Sequence, residues 1–151
     1  MADDVVSVLN KLIETSKNGE KGFLAAAEDA KSTELRTVFQ QRASECARGA
    51  AELQAVVARM GHEPETDGSV LGAMHRGWVN LKAAVAGRTD LAILEECERG
   101  EDLAKEQYAN ALKEQLPPDI REIVQRQYEG VLRNHAQIHA LRDQHRAAGA
   151  A

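Results

Sequence analysis

Apolar residues recur along this chain at helical spacing, three or four positions apart, rather than in alternation. Over residues 4–29 the inward set is Val5, Leu9, Leu12, Ile13, Phe23, Leu24 and Ala27, with Asp3 or Asp4 as the cap. Residues 34–60 repeat the pattern through Leu35, Val38, Phe39, Cys46, Ala50, Leu53, Val57 and Met60. Ser32 or Thr33 opens that helix and Gly61 ends it. His62 to Ser69 is polar, contains Pro64 and Gly68, and reads as loop. A shorter amphipathic helix follows over 70–86, with Val70, Met74, Trp78, Leu81 and Val85 on one face. Thr89 caps a helix over roughly 90–115, and Leu116-Pro117-Pro118 breaks the chain. A last helix over about 118–146 turns Ile120, Ile123, Val124, Val131, Ile138 and Leu141 inward, leaving a frayed tail at 147–151.

The lengths imply an architecture. Four helices of about 26 residues each span roughly 39 Å. Short breaks make the first pair and the last pair antiparallel hairpins. The link 62–88, with a helix roughly 25 Å long, can carry the chain back along the bundle. The second helix and the 90–115 helix then run parallel. Two hairpins joined by one long crossover give an all-α, ferritin-like four-helix bundle with a short fifth helix. Residues 1–151 read as a single domain.

Composition narrows the function classes. The chain has 151 residues, with 25 alanines against three prolines, which favours helix over strand. The net charge of −5 argues against nucleic-acid binding driven by overall charge. No apolar run reaches the roughly 20 residues that cross a bilayer, and the acidic start lacks a secretory layout. A soluble, cytoplasmic protein without membrane contact is expected. Cys46 and Cys97 are too few and too far apart for a disulfide framework or zinc motif, and read as small core residues.

Helical-wheel placement at 100° per residue puts polar side chains inside the apolar stripes. Glu20 is central on the first helix, Arg42 on the second, Glu101 inside the stripe of the 90–115 helix and Gln127 central on the last. His135 lies nearer an edge. Glu20 and Arg42 fall level to within roughly 2 Å, which predicts a buried ion pair fixing the first hairpin. Glu20, Arg42 and Gln127 thus form a structural polar core. The rival reading is a metal site of Glu20, Glu101 and His135 holding iron or manganese. Di-metal bundles of this topology carry a Glu on two helices and Glu-x-x-His on the other two. Here Leu132 precedes His135 by three and Arg48 follows Glu45 by three, so the paired motif is missing and no cofactor is expected.

Weaker candidates remain. His75 beside Arg76 has the look of a phosphotransfer histidine, but a surface or interface role competes. The run Glu95 to Asp102 is rich in acids, which suit the N-terminal part of a helix. His135, His139 and Arg142 on successive turns read as a solvated or salt-bridged edge. No phosphate loop or nucleophile constellation stands out.

Several segments are similar to a known family. These are Gly19-Glu20-Lys21-Gly22-Phe23, Gly68-Ser69-Val70 with His75-Arg76-Gly77-Trp78, Glu95 through Asp102, and Leu116-Pro117-Pro118. They resemble a bacterial ferritin-like four-helix-bundle family of unknown function, over nearly the whole chain. The resemblance implies the ferritin-like fold and a bacterial cytoplasmic setting, and supplies no substrate. The expectation is a non-catalytic interaction or stress-associated protein that self-associates. Met74 and Trp78 form the candidate interface, because spare apolar surface on a small bundle suits a symmetric partner. The metal-binding reading is the alternative.

Overall fold

The computed structural model describes residues 2–65 and 89–150. Four helices run through them: α1 Ala2–Asp29, α2 Thr33–Arg59, α3 Asp90–Ala111 and α4 Pro118–Ala150. The expected 70–86 helix, with Met74, His75 and Trp78, lies outside the described residues.

Local chemistry sets the helix ends. Ser32 caps α2, its side chain accepting from the Leu35 N–H at 3.3 Å. Thr89 does the same for α3 through the Ala92 N–H at 3.2 Å. At the far end of α2, Gly61 takes a φ of 81° that a side chain would disfavour. The Gly61 N–H then donates to Ala58 and the His62 N–H to Val57, so two end carbonyls are satisfied. After α3, Arg121 reaches back to the carbonyls of Leu112 and Glu114 and fixes the double-proline turn. α4 runs on to Ala150, past the expected end at residue 146, and its final residues are rich in alanine, the best helix former.

The topology rests on one carboxylate. Asp90, at the start of α3, accepts from the backbone N–H of Lys31 at 2.8 Å and of Ser32 at 3.0 Å, in the α1–α2 turn. The starts of α2 and α3 therefore lie at the same end of the bundle, and these helices run parallel. At the other end Glu65 sits between Asn10 of α1 and Gln54 of α2, so the chain leaves one end of the bundle and re-enters at the opposite one. This is the crossover expected from the helix lengths. α1 packs on α2 and on α3, and α3 on α4, while α2 and α4 touch only sparsely. Helices α2 and α3 thus face each other across the bundle diagonal.

Two apolar clusters fill the interior. One contains Phe23, Leu35, Phe39, Ile93, Leu94 and Ile138. The other contains Leu9, Leu12, Ile13, Leu53, Val57 and Val124. Each large side chain removed from water contributes about 1.5–3 kcal/mol. On α1 the inward row runs through Leu9, Leu12, Ser16, Gly19, Phe23 and Ala26. Leu24 points outward with 47% of its surface exposed, so the inward placement of Leu24 is corrected.

Replacing Asp90 with Ala removes both bonds that hold the starts of α2 and α3 together. Because the Lys31 bond is exposed, the expected cost is about 1–2 kcal/mol, with Asn at position 90 recovering part of it. Urea unfolding of the two variants measures this. Unchanged stability in Asp90→Ala would remove the carboxylate from the account of the topology.

Candidate functional site

Between the two apolar clusters lies a polar layer, and Arg42 is its centre. Arg42 sits nine residues into α2 and Glu101 eleven into α3, roughly 14 and 17 Å along parallel axes. Their side chains meet across the diagonal. Arg42 Nε donates to Glu101 Oε1 at 2.6 Å and Nη2 to Oε2 at 3.3 Å. The side chains are only 10% and 2% exposed, so the charges are almost fully removed from water. The planar donor fork suits a carboxylate, and here it engages both oxygens. The guanidinium carbon also lies 5.8 Å from the centroid of the Phe23 ring, a cation–π distance. Burial alone would weaken Arg42 as a base, but Cys46 and Glu101 outweigh it, and its pKa is raised.

A neutral network continues from the ion pair. Tyr108 donates its hydroxyl proton to Gln127 Oε1 at 2.7 Å, and Ser16 lies 3.3 Å from the same hydroxyl. Gln127 Nε2 donates to the Gly49 carbonyl at 3.2 Å and to Glu52 at 2.7 Å. Arg126 pairs with Glu52 as well. Side chains of α4 thereby bridge the sparse seam to α2. Partial burial would raise the Glu52 pKa, yet the bonds from Arg126 and Gln127 hold it below the ordinary value.

The layer surrounds a cavity of about 460 Å³. Its lining includes Arg42, Glu101, Tyr108 and Gln127, together with one glycine from each helix: Gly19, Gly49, Gly100 and Gly130. Gly19 permits the close approach of α1 to α2, since a Cβ there would lie 3.1 Å from Cys46 Sγ.

The structure separates the other expected site residues. Glu20 does not meet Arg42: it pairs with Lys17 on its own helix at 3.7 Å. The reason is rotation of α1. Counting Leu24 as inward pulls the apparent stripe toward the row shared by Glu20 and Leu24, whereas Gly19 is the residue facing α2. The ion pair assigned to Glu20 and Arg42 is therefore corrected to Arg42 and Glu101, and Glu20 leaves the polar core. His135 faces the α3–α4 seam, paired with Asp102. Glu20, Glu101 and His135 each hold a different partner, and no three metal-ligating side chains gather among the described residues. The donors present do not fit a di-metal centre, because the central carboxylate already binds a fixed cation. The seam continues through Glu98, which holds His139 at 2.7 Å and also Arg142, and through Glu95 with Arg146 at 2.9 Å. Sequence reasoning missed Ser16, Tyr108 and the four glycines as parts of one site. The available signal was glycine inside every long helix, where it costs about 1 kcal/mol relative to alanine.

Burial pushes the Cys46 thiol up to about 12 and the Cys97 thiol well above its ordinary value, while Tyr108 is pushed up to about 12. Each group holds its proton more tightly folded than unfolded. Above the ordinary thiol value of 9.0 the unfolded chain releases protons that the folded chain keeps. Stability must therefore fall as pH rises from there, by up to about 1.4 kcal/mol per pH unit for each group. Cys97→Ala should show a shallower decline than the parent chain in urea unfolding between neutral and alkaline pH. Parallel curves would contradict the assignment.

Comparison with known proteins agrees with the fold. A two-domain protein of Anabaena variabilis, containing DJ-1/ThiJ/PfpI-like and ferritin-like domains, superposes with a TM-score of 0.80 at 16% identity. The match covers 96% of this chain and 40% of that one, so the chain spans well under half the length of that relative. A bacterioferritin-related protein of Bacteroides fragilis, described as a dodecameric thioferritin, superposes with a TM-score of 0.76 at 12% identity over 99% of this chain and 91% of that one. At these identities the likeness shows the ferritin-like fold alone. No curated protein matches the chain significantly. No helix among the described residues is long and apolar enough to cross a membrane. Residues 4–114 match the family model described as Domain of unknown function (DUF2383), and the chain belongs to that family.

Proposed function

We propose that this is a non-catalytic ferritin-like protein that acts by assembling with further copies of itself, in an interaction or stress-associated role. The observation that carries the reading is the Arg42–Glu101 pair. Both oxygens of the central carboxylate are taken by a guanidinium that stays charged at any physiological pH. A metal would have to displace that cation and pay again for burying it unpaired. Support for assembly comes from the Bacteroides fragilis relative, which is dodecameric. The competing reading, an iron or manganese protein, draws on the ferritin-like fold and on the acids around the cavity.

One preparation separates the two. Protein purified without chelator, then exposed to iron or manganese and desalted, should retain only traces of metal by elemental analysis. Light scattering of the same sample should give a mass several times the 16.5 kDa of one chain. Retention of about one or two metal ions per chain, the order expected of a di-metal bundle, would overturn the non-catalytic reading. A monomer at high concentration would overturn assembly.

A further inference from the structure

We propose that the central cavity binds a small zwitterion of about dipeptide size, its carboxylate against Arg42 and its ammonium toward Glu45. The inference stands apart from assembly and from the metal question.

Unused bonding capacity carries it. A guanidinium has five N–H donors. Arg42 spends two on Glu101, and among the described residues the other three meet no protein acceptor. Yet Arg42 is only 8% exposed and lines the cavity. Its three remaining donors open onto the cavity, where they can take the oxygen atoms of a ligand. Glu45, partly buried on the same lining, has no hydrogen-bond or salt-bridge partner among the described residues. It offers an acceptor for a cationic end.

Charge balance disfavours a ligand with a net charge. Three arginines, Arg42, Arg48 and Arg126, and three glutamates, Glu45, Glu52 and Glu101, line the cavity, the first and last arginines paired with Glu101 and Glu52. A dianion or a dication gains nothing net from such a lining, whereas one charge of each sign finds a complement at each end. The size also fits, since about 460 Å³ lies within the range of small-molecule pockets.

The glycines point the same way. At Gly49 and Gly130 an added Cβ would meet its nearest neighbour at 3.6 Å, an ordinary contact. Packing therefore does not demand glycine at these helical positions. What glycine leaves there is a little extra room beside the side chains of Gln127 and Arg133. Among the described residues the α2–α4 seam beside the lining is bridged by the side chains of Glu52, Arg126 and Gln127 more than by close helix packing.

The test is a titration of the full ¹⁵N-labelled chain with L-alanyl-L-alanine, followed by NMR, alongside the N-acetylated and the C-amidated dipeptide and succinate. Saturable shifts are expected at the amides of Gly49, Gly100 and Gly130. Blocking either end removes a charge-assisted bond and should weaken binding about tenfold or more. Ala104→Leu, which fills the cavity from α3, should abolish the shifts while keeping a dispersed spectrum. Gly130→Leu serves the same purpose from α4 if the first variant does not fold. Absence of saturation by about 10 mM dipeptide, a free energy weaker than roughly 3 kcal/mol, overturns the site. Equal binding of the blocked dipeptides, or tighter binding of succinate, overturns the zwitterion. Undiminished binding by a folded cavity-filled variant overturns the location.

Discussion

A guanidinium locked onto a carboxylate across the bundle diagonal is the constraint on which the rest of this structure depends. Arg42 and Glu101 lie on helices that do not pack directly against one another, and only a long side chain can bridge that distance. The pair has to be complete. Either charge alone would remain buried at a cost of several kcal/mol, so the two helices are held at matching depth. The pair sets the relative depth of α2 and α3 but not their direction, since Glu101 lies near the middle of α3; the parallel course is fixed at the start of both helices by Asp90. Phe23 closes over the guanidinium from α1, tying the pair to one apolar cluster.

The polar layer also explains why the bundle is open at its middle. Apolar side chains close the interior on both sides of the layer. At the layer itself the helices contribute glycine, serine and alanine, and the space they leave is edged by hydrogen-bonding groups. A cavity of this kind is unstable as a dry void but tolerable when its polar groups find partners. The α2–α4 seam is the weak side. There Gln127 spends both amide protons on α2, substituting side-chain bonds for close helix packing.

Much of the fold was legible in the sequence because helix periodicity and caps are local signals. Ser32, Thr89, Gly61 and the Pro117-Pro118 break mark real ends, and the length of the link before Thr89 implied the parallel crossover. The centre of α1 was misjudged for a physical reason. A stripe calculated from hydrophobicity weights Leu24 heavily and Ser16 and Gly19 hardly at all, although small residues make the closest contacts. That error turned Glu20 inward and gave Arg42 the wrong partner. The cavity was illegible because empty space has no residue of its own, and only the glycine in each helix hinted at it.

The central claim is that Arg42 and Glu101 act as a unit. A double-mutant cycle in unfolding free energy tests it, using Arg42→Met, Glu101→Leu and the double variant, with Glu20→Ala as the control. Each single change should cost about 3–5 kcal/mol, because it strands a buried charge, and the double variant should cost far less than their sum. Glu20→Ala should combine with Arg42→Met additively, within about 0.5 kcal/mol. Additive behaviour of Arg42 and Glu101, or strong coupling of Arg42 to Glu20, would contradict the account.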